Sequence, residues 1–176
     1  MNDSSVQERA AYIKLLLMDC DGVLTDGRIW ILESGEDQKA FHTRDGLGLE
    51  LWHRSGLKSG IISGRASSAV SRRAQGLGMN YIHLGQANKV EAYEQTLAEA
   101  EVRPEEVAFI GDDLNDVPLM LRSGLAVAVA DGSADVLTRA HYVTTAKGGA
   151  GAVREVIELI LNAQNRWQAV ISEYLA

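Results

Sequence analysis

Short all-apolar runs alternate along this chain with stretches whose apolar residues recur at helical spacing. Ile13 to Met18 is apolar on both faces, the pattern of a central parallel strand covered on either side. Arg28 to Glu33 and Asp37 to Thr43 flank Ser34-Gly35-Glu36, which predicts a β-hairpin over about 28–43. From Asp45 the period changes. Leu47, Leu49, Leu51 and Trp52 mark a helix that stops before Gly56, a suitable glycine just past a helix C-terminus. Lys58 to Ile62 reads as a strand, Ala66 to Leu77 as a helix, Tyr81 to Leu84 as a strand, and Asn88 to Ala100 as a helix followed by Pro104. Val107 to Ile110 predicts a further strand, and Leu114 to Arg122 a helix closed by Gly124. Leu125 to Val129 and Tyr142 to Thr144 predict two short strands, and Gly148-Gly149-Ala150-Gly151 opens a helix from about Ala152 to Leu161. Residues 1–10 read as a polar, frayed lead-in and about 165–176 as a C-terminal tail.

Strands alternating with helices at this spacing define an α/β fold, a Rossmann-like doubly wound parallel sheet, with the hairpin projecting from the strands' C-terminal edge. In such sheets a ligand sits beyond the C-terminal ends of the strands, at a topological switch point. The polar clusters of this chain fall at such ends. The 176 residues suit a single domain, 1–176, with no repeat and no low-complexity segment.

Bulk properties remove several function classes. A formal charge of −7 argues against general nucleic-acid binding. No apolar run reaches transmembrane length, and Leu15–Met18 lacks the length and cleavage pattern of a signal peptide. One cysteine excludes an internal disulfide and a cysteine-based zinc site. These features lead us to expect a soluble cytoplasmic protein without a membrane partner.

The chemistry begins where the first strand ends, at Met18-Asp19-Cys20-Asp21-Gly22. Two carboxylates beside a core strand are costly unless a cation lies with them. Residues at i and i+2 of an extended segment point the same way, so Asp19 and Asp21 are placed to hold a hard metal while one attacks a group the metal polarises. Read alone, the pair also suits plain turn residues before Gly22. Gly111-Asp112-Asp113-Leu114-Asn115-Asp116 repeats the pattern after another apolar strand. These acids suit either a solvated helix start or a loop whose Asp112 completes the metal site begun by Asp19. Ser63 and Gly64 follow a third strand as a phosphate-oxygen contact or an ordinary turn. Lys89 lies at a helix N-terminus, where the dipole disfavours it, so it is either a surface lysine or paired with nearby negative charge.

Taken in order, Asp19/Asp21, Ser63, Lys89 and Asp112/Asp113/Asp116 resemble the four motifs of the haloacid dehalogenase superfamily of phosphohydrolases, over about residues 12–162. That resemblance implies Asp19 as nucleophile forming an aspartyl-phosphate, and Asp21 as the acid that protonates the leaving alkoxide and then activates water. It implies Mg²⁺ held by the Asp19 carboxylate, the Asp21 backbone carbonyl and Asp112. Asp113 and Asp116 would support this set from behind, with Ser63, Gly64 and Lys89 on the phosphoryl oxygens. The space between Asp21 and the next helix holds only the hairpin, and nothing extra precedes Lys89, so a chain without a cap domain is expected. A cysteine-phosphatase reading fails because Asp26 stands where an arginine is needed after Cys20, and no P-loop occurs.

Finer stretches narrow the resemblance. They include Asp19 to Gly27, Phe41 to Gly46, Ile62 to Arg65, Gly85 to Lys89, Val127 to Asp131 and Gly149 to Glu155. They are similar to the 3-deoxy-D-manno-octulosonate 8-phosphate phosphatases of lipopolysaccharide precursor synthesis. The resemblance implies a homotetramer in which hairpins meet at the centre and each site is covered by an adjacent subunit. His42, Thr43, Arg44, Asp45, Gly46, Arg65 and Arg73 would contact the phosphorylated sugar acid, an arginine fork suiting a carboxylate. His42 and Glu50 depart from the family's frequent residues, and the tail from about Asn165 matches less well. Two alternatives remain at this point. One is a phosphatase of a nine-carbon sialic-acid-type 9-phosphate, and the other a non-catalytic tetramerisation domain of a sialic-acid cytidylyltransferase system. The retained carboxylates and Lys89 favour an enzyme, and Arg65 favours the eight-carbon acid.

Overall fold

The computed structural model describes residues 3–175. In chain order its elements are α1 (Asp3–Ala11), β1 (Leu15–Met18), β2 (Trp30–Ile31), β3 (Asp37–Gln38), α2 (Thr43–Arg54), β4 (Lys58–Ser63), α3 (Ser68–Gly76) and β5 (Tyr81–Leu84). There follow α4 (Lys89–Ala100), β6 (Val107–Gly111), α5 (Val117–Met120), β7 (Leu125–Ala128), α6 (Ala134–Leu137), β8 (Tyr142–Val143), α7 (Ala152–Ala163) and α8 (Trp167–Ile171). Six strands form one parallel sheet in the order β5-β4-β1-β6-β7-β8. The chain builds outward from β1 through β4 and β5, then crosses back to β6 on the other side. The switch point therefore lies at the C-terminal end of β1.

All four residues of β1 are buried, and their alternation divides them between two cores. Leu16 and Met18 pack with α1, α2, α3 and α7 residues on one face. Leu15 and Leu17 face α4, α5 and α6 on the other, with Phe109, Tyr93 and Met120. Burial on both faces explains why strand and core coincide in the all-apolar runs. The hairpin is a separate two-stranded sheet, with Trp30 opposite Gln38 and Ile31 opposite Asp37. It leaves the domain just after β1, as its sequence predicts.

Two expectations are corrected. Residues 3–10 are not a frayed lead-in but most of α1, while residues 1 and 2 lie outside the described residues. Val6 and Ala10 are buried in the core that α7 also lines, a sparse apolar stripe that the polar composition hides. The helix expected over Leu114–Arg122 is cut to Val117–Met120, because 112–116 is shaped by the carboxylate of Asp116 instead of by helical bonds. Within the tail, α8 packs back on α2 and α7, and Arg54 pairs with Glu173. Among the described residues no helix is long and apolar enough to cross a membrane.

Candidate active site

Backbone pairing continues one residue past β1, where the Asp19 N–H donates to the Ile110 carbonyl at 3.0 Å. The chain then curls around the Cys20 carbonyl, which accepts from the N–H groups of Val23, Leu24 and Thr25 at 3.2, 2.9 and 3.1 Å. Cys20 is fully buried in this curl, where burial followed by the Asp21 charge pushes its thiol well above the usual range. It behaves as a small apolar residue. Asp19 and Asp21, on either side, both line one cleft of about 640 Å³. Gly22 has a φ of +94°, and a Cβ there would collide with the Asp112 carboxylate. That glycine lets the loop after β6 close against the loop after β1.

Lys89 opens α4, whose N-cap Asn88 accepts from the Val90 N–H at 3.1 Å. Its ammonium is buried and lies 2.8 Å from Asp19 Oδ1 and 2.7 Å from Asp116 Oδ1. Burial pulls Lys89 down, but the two carboxylates outweigh it and its pKa is raised. The second Asp116 oxygen accepts from the N–H groups of Asp112 and Asp113 at 3.0 and 3.4 Å. Asp116 is thus a fully buried carboxylate with both oxygens committed, shaping the loop and aiming Lys89 at Asp19.

The fit of a cation can be judged from the same atoms. Asp19, Asp112 and Asp116 each place a carboxylate oxygen within 4.8 Å of the others. Burial, and then the Asp116 charge, raise Asp19 to about 6 despite Lys89. The same two causes raise Asp112 to about 8. Crowded oxygens whose ionised forms are disfavoured are a donor set that a hard divalent cation relieves. Asp19 and Asp112 line the cleft and Asp116 does not. The open oxygens for a metal therefore belong to the first two.

Ser63 ends β4, is buried, and accepts from the Arg65 N–H at 3.3 Å. Ser63, Gly64 and Arg65 line the cleft with the aspartates, as does the exposed Asp113. Arg65 Nε is 3.9 Å from Asp21 Oδ2. The other sugar-contact candidates lie elsewhere. Thr43, Gly46 and Arg73 line a second groove with Glu50, and Arg44 is exposed. Asp45 is buried and accepts from the Gly151 and Arg154 N–H groups at 3.2 and 2.8 Å. It caps α7, so the Gly148–Gly151 segment is a turn whose amides this chain itself uses. His42 Nδ1 and Arg73 Nε are buried and find no hydrogen-bond partner among the described residues.

One residue escaped the sequence reading. Lys39, just past β3, places its ammonium 2.5 and 2.7 Å from the two oxygens of Asp21. The available signal was a lone lysine on the returning hairpin strand, close in sequence to an acidic strand end.

A parallel sheet with carboxylates after β1 and β6, a hydroxyl at the end of β4 and a buried lysine opening α4 defines the haloacid dehalogenase-like hydrolases. The family model of that description matches residues 78–157. More narrowly, this chain belongs to the family of 3-deoxy-D-manno-octulosonate 8-phosphate phosphatases. It is 48% identical to that phosphatase from Yersinia pestis over 161 residues, 92% of this chain and 86% of the relative. The crystal structure of the Yersinia protein matches with a TM-score of 0.90, covering 92% of this chain and 88% of that one. The corresponding phosphatase from Moraxella catarrhalis was solved in complex with a magnesium ion, a phosphate ion and a KDO molecule. It matches with a TM-score of 0.95 at 40% identity, covering 98% of this chain and 99% of that one.

Proposed function

We propose that this chain is a Mg²⁺-dependent phosphomonoesterase that converts 3-deoxy-D-manno-octulosonate 8-phosphate to the free sugar acid and phosphate, a step in lipopolysaccharide precursor synthesis. The observation that carries the reading is Asp19 held by Lys89 beside Asp112 at the switch point, with Asp21 facing the same cleft. Family membership at 48% identity over most of both chains supports the substrate.

In this reading an Asp19 oxygen attacks phosphorus in line with the leaving sugar oxygen, which takes a proton from Asp21 as its P–O bond breaks. Water then attacks the aspartyl-phosphate, gives its proton to Asp21, and the bond to Asp19 breaks to release phosphate. Lys89, the Ser63 hydroxyl and the Gly64 N–H meet the charge on the phosphoryl oxygens. Asp19, Asp112 and the Asp21 backbone carbonyl would hold Mg²⁺, which when bound supplies Lewis-acid neutralisation of that charge and keeps Asp19 ionised. Asp116 supports the set from behind, while Asp113 stands exposed in the cleft beside it.

The cleft is open, and a phosphoenzyme needs shielding from bulk water. Exposed Trp30 and Ile31 on the hairpin, at 66% and 75% accessibility, are apolar surface suited to self-association. A homotetramer with hairpins at its centre would bring a neighbour's groove, with Thr43, Gly46 and Arg73, toward this cleft. His42, Arg44 and Asp45 adjoin that groove in sequence, and Arg65 already stands in the cleft. Work in the cytoplasm, without nucleic acid or membrane, completes the proposal and accords with the acidic charge and single cysteine.

Phosphate release tests it, measured with Mg²⁺ and with EDTA on the eight-carbon acid, nine-carbon sialic-type 9-phosphates and simple sugar phosphates. A magnesium-dependent preference for the eight-carbon acid is expected. Preference for a nine-carbon acid overturns the substrate, and silence across the panel from a folded protein overturns the reaction.

A further inference from the structure

Lys39 is a fully buried ammonium whose nearest partner is the Asp21 carboxylate, which lines the cleft. Burying such a charge is unfavourable unless it is paired and hydrogen-bonded, and here both Asp21 oxygens accept from it. The contact does not stop there. Lys39 Nζ lies 3.6 Å from Asp37 Oδ2, and Asp37 Oδ1 accepts from the Ser67 hydroxyl at 2.9 Å. Ser67 in turn caps α3, accepting from the Val70 N–H at 3.3 Å. One run of polar contacts, Asp21–Lys39–Asp37–Ser67, therefore joins the loop after β1, the hairpin and the helix that follows the Ser63–Arg65 loop.

That run constrains a group which would otherwise be loose. The last torsion of an aspartate is broad, so an unheld carboxylate sweeps through a range of directions. Contact through both oxygens to a buried ammonium fixes its plane. Arg65, the other cation near Asp21, is more distant at 3.9 Å and its side chain is 55% exposed, so it holds the carboxylate weakly. The division leaves Lys39 to orient Asp21 and Arg65 free to meet a ligand.

We propose that Lys39 is the positioning residue of the Asp21 carboxylate, delivered by the hairpin, so that an aligned acid–base group exists only when the hairpin is docked. The proposal rests on the reading of Asp21 as acid and base given above. It assigns the hairpin a part in the chemistry beyond the self-association surface of its strands.

The test uses the full chain with Mg²⁺ and the variants Lys39→Met, Lys39→Gln, Lys39→Arg and Asp21→Asn. Steady-state rates are taken on the sugar phosphate and a rapid-quench burst on p-nitrophenyl phosphate. In the burst step Asp19 bonds to phosphorus and p-nitrophenolate leaves without needing a proton. Only the second step, in which water attacks and its proton passes to Asp21, then depends on the aligned carboxylate. Misplacing a reacting group by about an ångström costs on the order of a hundredfold. Lys39→Met is accordingly expected to lower kcat by about 10- to 100-fold without raising KM, while the burst stays near one nitrophenolate per subunit. Lys39→Arg, which keeps the charge, should recover most of kcat.

A merely structural role would reduce burst amplitude and kcat together, and that result overturns the proposal, as does wild-type kcat in Lys39→Met. Should Lys39→Met fail to fold, Lys39→Gln and Lys39→Arg decide, with Arg expected to be faster and equal rates overturning the proposal. Asp21→Asn separates the two levels. If it turns over normally, the acid–base reading itself falls; if it is slow while Lys39→Met is normal, only the positioning role falls.

Discussion

Asp19 and the two charges beside it, Lys89 and Asp116, have separate roles that follow from burial. Lys89 and Asp116 are both buried, and each has its charge met inside the protein. Asp19 shares the lysine and keeps a face toward the cleft, which makes it the member of the group available to react. Replacing it with asparagine leaves the Lys89–Asp116 pair intact and removes only the attacking oxygen charge. Asp19→Asn is expected to lower phosphate release by at least about a thousandfold while far-UV circular dichroism and melting temperature stay near wild type. Near-full activity in that variant would remove Asp19 as nucleophile. Lys89 shows how far a single residue can be read in advance. Its position at a helix start left a surface lysine or one paired with negative charge, because the dipole alone opposes it. The identity of the partners, from loops 70 residues before and 27 after, required the fold.

At the scale of elements, the strands were legible because burial on both faces writes a strand as an uninterrupted apolar run. The predicted Tyr81–Leu84 strand matches β5, and the expected Val107–Ile110 strand lacks only Gly111 of β6. Helices were less so. Among the residues of α1 whose burial is described only Val6 and Ala10 are buried, and in α5 a buried carboxylate overrides the helical pattern. His53, His83 and His141 are half-buried and each is held by a local hydrogen bond. His53 bonds Ser59 Oγ at 2.8 Å, His83 bonds Thr96 Oγ1 at 2.9 Å, and His141 Nδ1 accepts from the Ala126 N–H at 2.9 Å. The hairpin is the element on which assembly is proposed to turn. Trp30→Lys with Ile31→Lys is expected to lower the assembly from tetramer toward monomer in sedimentation or light scattering, at little cost to the domain core. An unchanged mass would move the interface away from the hairpin.

For the whole molecule, the active site is a source of pH-dependent strain that the metal removes. Asp19 and Asp112 stand at about 6 and about 8, above the ordinary aspartate value of 3.8. Between these values the folded state binds more protons than the unfolded chain, so these groups' contribution to stability falls as pH rises. In EDTA the melting temperature is expected to decline from about pH 5 to about pH 8, and excess Mg²⁺ should flatten the decline by binding the ionised carboxylates. A slope unaffected by Mg²⁺ would detach these two aspartates from the metal. By itself the sequence determined the alternation of strands and helices, the placement of acids at strand ends and the hairpin after β1, because each is written in local periodicity and turn chemistry. Tertiary structure decided how closely Asp116 meets Lys89, and it alone decided that Asp45 caps a distant helix and that Lys39 reaches Asp21. Those contacts join residues 18 to 109 positions apart, where no local pattern records the pairing and only the packed sheet sets the distance.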